Sequence, residues 1–279
     1  MKVRIVVDST ADLRPEVKQR LHIVPLTILF GEEEYIDGVT ITHKEFYEKL
    51  VESDVLPTTS QATPHAFAKA FEEAKQANEE VVCITVSAVL SGTFQSANIA
   101  AQDYDNVHVV DGHSVAIGSG ILAEYALRLV DSGLSAAEIA EKLRSVCKRI
   151  HVIAMLDTLE YLKRGGRISK TAACAGTLLS IKPVVNVRDG AINILGKARG
   201  SKQGNNLLVK EIENAGGVDF DMPVLLGYTG MSDALLQKYI GDSAALWQGH
   251  LDQLSTTVVG SVVGTHAGPG AVAVAFFAK

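Results

Sequence analysis

Residues 81–101 read VVCITVSAVLSGTFQSANIAA. The apolar, β-branched run Val81–Val86 has the length and composition of a buried strand. Leu90–Ala97, continuing to Ala101, then opens as a helix. A strand that ends in Ser-Gly-Thr and turns into a helix sets unpartnered N–H groups and the positive end of the helix dipole beside the strand's carboxyl end. Ser91 and Thr93 add hydroxyl donors, and Gly92 lets a ligand approach the backbone. The stretch therefore predicts both an α/β fold and a site for an anionic group.

The same pattern repeats outward. Val3–Val7 is a strand-like run ending in Asp8-Ser9-Thr10, with a helix expected over Leu13–Leu21. Strand-like runs recur at Ile23–Phe30 and Val107–Asp111. Helical stretches fall at Lys44–Val51, Pro64–Gln76, Thr93–Gln102 and Ile117–Asp131. Strands alternating with helices predict a doubly wound, mainly parallel sheet whose ligands sit beyond the carboxyl ends of its strands. Asp8–Thr10, Ser87–Thr93 and Asp111–Ser114 fall on that edge.

Ser135 and Glu138 have capping-box spacing for a helix over Ser135–Arg149, and the apolar run His151–Met155 starts a second unit. Ile181–Val187 and Ala191–Leu195 flank Arg188-Asp189-Gly190 as a hairpin. Helix Gln203–Ala215, strand Pro223–Thr229, helix Asp233–Ile240 and a terminal strand Ala271–Phe277 follow. The expected fold class is α/β in two domains. The first, residues 1–150, is doubly wound and mainly parallel. The second, residues 151–279, is smaller, with a mixed sheet.

Of 279 residues, 47% are hydrophobic, and 26 basic against 32 acidic residues give a net charge of −6. That balance argues against a nucleic-acid-binding domain. Cys83, Cys147 and Cys174 lie far apart, with no CxxC pair and no zinc-ligand spacing. Reduced thiols are expected, with Cys83 in the core. The N-terminal apolar stretch is interrupted by Asp8 and is too short for a signal sequence, and no segment approaches a membrane span. A soluble, cytoplasmic protein is expected.

Two further polar segments, Thr58–Gln61 and Gly264–Gly270, read as loops, the second holding His266 between glycines. With Ser91 they suggest a ligand with an acidic head. His22, His43, His65, His108, His113, His151 and His250 have no comparable setting and read as structural or exposed. Lys163, Arg164, Arg167 and Lys170 form one cationic cluster, and Lys197, Arg199 and Lys202 a second, which suits an acidic partner or phosphate.

Two enzyme readings compete. Gly118-Ser-Gly-Ile-Leu-Ala123 resembles a dinucleotide fingerprint, but it lacks the tight strand-to-helix turn, so close packing of a helix on a sheet is the better reading. Ser91 with His266 and an aspartate would make a hydrolase triad, but no GxSxG elbow is present. Gly190–Lys197 misses the spacing and the Ser/Thr of a P-loop.

Taken together, Asp8–Leu13, Asp37-Gly38, Thr59-Ser60-Gln61 with Pro64, Leu90–Ala97, Val109–Asp111, Leu156–Ile168, Lys182-Pro183, Gly196–Arg199 and Gly264–Gly270 resemble the DegV family, including the FakB fatty-acid-binding subunits of bacterial fatty acid kinases. The resemblance implies two α/β domains burying a long-chain fatty acid, with no catalysis and no cofactor of the chain's own. It places the carboxylate on Thr59 and Ser91, with main-chain donors at Ser60 and Gly92 and with His266 and Arg167 near the head group. It further implies that a separate ATP-binding kinase subunit phosphorylates the carboxylate, and the cationic cluster Lys197, Arg199 and Lys202 is the expected docking surface. No nucleic-acid partner or transmembrane segment is expected, and any membrane contact would be transient. Gly112 departs from the family pattern, which often has serine after Val-Val-Asp; Ser114 stands nearby as a substitute.

Overall fold

The computed structural model describes residues 2–169 and 181–279; Lys170 and Cys174 lie outside them. In chain order the elements are β1 (Lys2–Asp8), α1 (Pro15–Lys18), β2 (His22–Val24), β3 (Thr27–Phe30), β4 (Glu33–Ile36), α2 (His43–Glu52), β5 (Thr58–Ser60), α3 (Pro64–Gln76), β6 (Glu79–Thr85), α4 (Thr93–Ala101), β7 (Val107–Asp111), α5 (Ile117–Asp131) and α6 (Ala136–Val146). They continue as β8 (Ile150–Met155), α7 (Glu160–Arg164), β9 (Ile181–Arg188), β10 (Ala191–Arg199), α8 (Gly200–Asn214), β11 (Leu225–Tyr228), α9 (Ala234–Asp242), β12 (Ser255–Val258), α10 (Ser261–Ala267) and β13 (Val272–Phe277).

The first sheet is parallel throughout, in the order β2-β1-β6-β7. Both its faces are buried, because strand residues point alternately to opposite sides. Val3, Ile5, Val7, Val82 and Ile84 pack on the side of α5 and α6. Val6, Val81 and Cys83 pack with Phe67 and Phe71 of α3 on the other side. Cys83 is thus a core residue, its thiol pushed well up by burial and by the nearby Asp8 carboxylate.

The second sheet is mixed, in the order β10-β9-β8-β13-β11-β12. One face packs on α8 and α9 around the fully buried Trp247. The other face shares a core with the parallel sheet, and α5 lies between the two, contacting β1 and β6 on one side and β8, β11 and β13 on the other. A helix covered on both sides must be apolar nearly all round, and α5 buries ten residues from Ile117 to Leu129. Its glycines allow that closeness. A Cβ on Gly118 would stand 2.4 Å from Val152 Cγ2, and one on Gly120 would stand 2.0 Å from the Asp12 carbonyl oxygen. The Gly118–Ala123 segment is packing.

Several expected elements differ in extent. The helix expected over Leu13–Leu21 is the single turn of α1, with Pro15 at its start. The run Ile23–Phe30 divides at Pro25, which has no N–H for a ladder. β2 joins the parallel sheet, while β3 joins a separate antiparallel sheet, β4-β3-β5. Thr58–Ser60 is therefore strand β5, not a loop. Ser135–Arg149 is α6 with its capping box intact, then a 3-10 turn at Cys147–Arg149. The β9–β10 hairpin turns at Asp189-Gly190, with φ of +52° and +77°. Gly264–Gly270 is not a loop for most of its length: Ser261–Ala267 is helix α10, stopped by Gly268 at φ +70°. No helix among the described residues is long and apolar enough to cross a membrane.

Candidate functional site

An apolar cavity lies between the mixed sheet, α10 and the carboxyl edge of the parallel sheet. Register explains its floor. Val185, Ala154, Ala273 and Gly227 are aligned neighbours across β9, β8, β13 and β11 on one face of the sheet, and all four line the cavity. Three of the four have one side-chain carbon or none, so the face is recessed there, and Val152 and Val187 continue the apolar wall. Val86, Leu90 and Val115 close it from the first half of the chain.

The polar lining gathers Thr59, Ser60, Gln61, Ser91, Arg167 and His266. β5 delivers the first two because Thr59 pairs with Ile28 at a sheet edge. Thr59 Oγ1 lies 2.9 Å from His266 Nε2. Ser91 precedes α4, and its Oγ contacts Thr93 Oγ1 at 2.9 Å and accepts from the Thr93 N–H at 3.3 Å. Arg167 is turned inward, its Nε donating to the Leu90 carbonyl at 3.1 Å and Nη1 to the Gly165 carbonyl at 2.6 Å. Burial holds its guanidinium below the usual arginine range.

His266 is the most perturbed of these groups. Burial, then the Arg167 charge, lowers its pKa from 6.5 to about 4, so the ring is neutral at pH 7. Its Nδ1 is buried without a hydrogen-bond partner among the described residues. A Cβ on Gly165 would stand 2.1 Å from that Nδ1, so glycine is what admits the ring. The unfolded chain takes up this proton near pH 6.5 and the folded chain only near 4. Stability is therefore fully present above pH 6.5 and is lost as pH falls toward 4, by on the order of 2–3 kcal/mol. Denaturant melts of wild type and His266→Gln from pH 7.5 to 4 are expected to converge on the acid side; a constant gap refutes the buried neutral ring.

Of the other sequence-predicted residues, Gly92 is exposed at the N-cap of α4 and outside the cavity lining. A Cβ there would meet Gln61 Oε1 at 2.1 Å, so Gly92 leaves room for Gln61, which donates to Ser96 Oγ at 2.8 Å. Lys163 and Arg164 pair with Glu160 instead of joining Arg167. Neither Gly112 nor Ser114 lines the cavity. His266 bonds Thr59, while Ser91 Oγ is engaged by Thr93, so the structure joins no Ser91–His266 nucleophile–base pair. Lys197, Arg199 and Lys202 are exposed on β10 and α8. Thr10, placed by the sequence on the ligand edge, lines the cavity, as does Thr229, which the sequence did not mark. Thr10 carried a signal in Asp8-Ser9-Thr10, where Asp8 Oδ1 accepts from both the Thr10 N–H and hydroxyl.

The fold and site together define an α/β protein with an apolar cavity whose polar end is built from hydroxyls, an imidazole and a guanidinium. The DegV family model matches residues 2–279, and the chain belongs to the DegV family. A DegV domain-containing protein of Caldanaerobacter subterraneus is 33% identical over 285 aligned residues, covering 100% of this chain and 99% of the relative. A DegV family protein of Thermus thermophilus, described as fatty acid binding, superposes with a TM-score of 0.88 at 30% identity over the whole of both chains. A stearic-acid-binding protein of Eubacterium ventriosum has a TM-score of 0.86 at 29% identity, covering 99% of this chain and 98% of that one.

Proposed function

We propose that this protein binds a long-chain fatty acid and presents its carboxylate to a separate ATP-dependent fatty acid kinase subunit. The observation that carries the binding reading is the recessed floor of Ala154, Ala273 and Gly227 leading to the Thr59–His266 pair; relatives of the same fold that bind fatty acids support it. Each buried methylene contributes about 0.8 kcal/mol, so the tail supplies most of the affinity.

The head group needs donors to offset desolvation. A neutral His266 has one ring N–H. With that hydrogen on Nε2, Thr59 Oγ1 accepts it and its own hydrogen is free for the carboxylate. Ser91 and the main chain at Ser60 add donors, and Arg167 adds positive charge. The chain itself performs no chemistry in this reading, and the fatty acid is its ligand in place of a cofactor. Two α/β domains meeting near residue 150 would bury that ligand between them.

Mass spectrometry of an organic extract of the unheated protein tests the binding. A stoichiometric fatty acid is expected; an empty extract with no uptake of oleate or palmitate refutes it. The kinase reading is supported by Lys197, Arg199 and Lys202, exposed cations in a chain of net charge −6. Reversing all three charges is expected to abolish phosphorylation by the kinase subunit while fatty-acid affinity stays within twofold. Unchanged phosphorylation moves the docking surface elsewhere.

A further inference from the structure

Helix α10 carries His266 in its last turn, and its first turn is held by buried groups that the head-group reading does not use. The Gly260 N–H donates to Asp12 Oδ1 at 2.6 Å. Asp12 is 4% exposed and Asp37, beside it, is 3% exposed. Asp12 Oδ2 and both Asp37 oxygens have no hydrogen-bond partner among the described residues, and neither has the fully buried Ser261 Oγ. The Ser9 and Ser261 hydroxyls lie beside the Asp37 carboxylate without reaching bonding geometry.

His43, expected to be merely structural or exposed, faces Asp37, and its Nε2 would stand 3.2 Å from a Cβ on Gly260. Tyr47 of α2 donates its hydroxyl to the Val259 carbonyl at 2.9 Å. Lys18 is the cation that all three titratable groups feel.

Two neighbouring carboxylates in an apolar interior are costly, because each opposes the other's ionisation and both lose hydration. Here they converge on the start of α10. At 1.5 Å per residue, Gly260 and His266 are roughly 9 Å apart along the axis, and a helix this short moves as a rod. A shift of its first turn therefore moves the imidazole against Thr59 by a similar amount.

We infer that Asp12, backed by Asp37, is a positioning residue for the carboxylate site: its hold on Gly260 sets the axial placement of α10 and so the His266–Thr59 contact. The effect on ligand affinity rests on the head-group reading; the effect on the His266 ring does not. The test is nitrogen NMR of the histidine rings in the full-length, ligand-free protein, with oleate titrations alongside. Asp12→Ala is expected to shift the His266 Nε2 signal and weaken oleate binding about tenfold. Asp12→Asn keeps an oxygen for the Gly260 N–H and is expected to retain both wild-type values. Asp37→Ala is expected to displace the same ring signal.

If Asp12→Ala does not fold, Asp12→Glu, with the carboxylate one methylene farther out, carries the same expectation. Folded Asp12 variants with lowered melting temperature but unchanged His266 signals overturn the inference, since a purely structural residue would behave so. A shifted His266 signal with unchanged oleate affinity leaves the positioning role standing and overturns the head-group reading instead.

Discussion

Replacing Thr59 and Ser91 together with alanine is expected to weaken fatty-acid binding by roughly two to three orders of magnitude while the protein stays folded. Each hydroxyl gives the carboxylate a charge-assisted hydrogen bond of about 1.5–3 kcal/mol, and a carboxylate left short of donors in an apolar cavity also keeps its desolvation cost. Thr59 matters twice, because its Oγ1 is the partner of His266 Nε2 at 2.9 Å. The double variant leaves that ring nitrogen unpaired as well. Neither side chain belongs to the apolar clusters of the core, so the melting temperature should fall by only a few degrees. Calorimetric titration with oleate, beside a thermal melt, checks both halves. Affinity within threefold of wild type would mean that the carboxylate sits elsewhere.

Filling the recessed cavity floor is expected to have an effect as large, with a different signature. Ala273 lies between Ala154 and Gly227 in the recessed row. Ala273→Leu sends three more carbons into the path of the tail. If about four methylenes are displaced from the cavity, the loss is roughly 3 kcal/mol, or two orders of magnitude. An eight-carbon acid that does not reach the row should bind as it does to wild type, and an eighteen-carbon acid should not. Overpacking costs about 1–3 kcal/mol of stability when the ligand is absent. A comparison of the two acids in one competition assay cancels that cost. Equal weakening of both would show that the substitution disturbs the head-group end and that the tail runs another way.

Much of this architecture was legible in the chain. β7, α3 and α5 follow from periodicity and from their boundary residues, and the hairpin at Asp189-Gly190 from its turn residues. The pattern failed where tertiary pairing overrode it. Ile23–Phe30 looks continuous to any count of β-branched residues, yet Pro25 sends its halves to different sheets. Thr58–Ser60 is too polar to read as a strand and becomes one only because β3 offers it an edge. His266 stands between glycines and reads as a loop residue, although Ser261–Ala267 is long enough for two turns of helix.

The site divides in the same way. Local chemistry alone marks Ser91, the segment Thr58–Gln61 and His266 as suited to an acidic ligand, because hydroxyls at a strand-to-helix turn and a histidine among glycines carry that information in their own neighbourhoods; the family resemblance singles out Thr59. Only the folded chain decides that Arg167 turns inward while Lys163 and Arg164 pair with Glu160, that Gly92 makes room for Gln61, and that Ala154, Ala273 and Gly227 form one recessed row. Most of those facts depend on register and on contacts between residues far apart in the chain, such as Arg167 with Leu90 and Ala273 with Ala154. Sequence determines which groups each segment can offer; the packing of α5 and α10 between the sheets decides which of them meet.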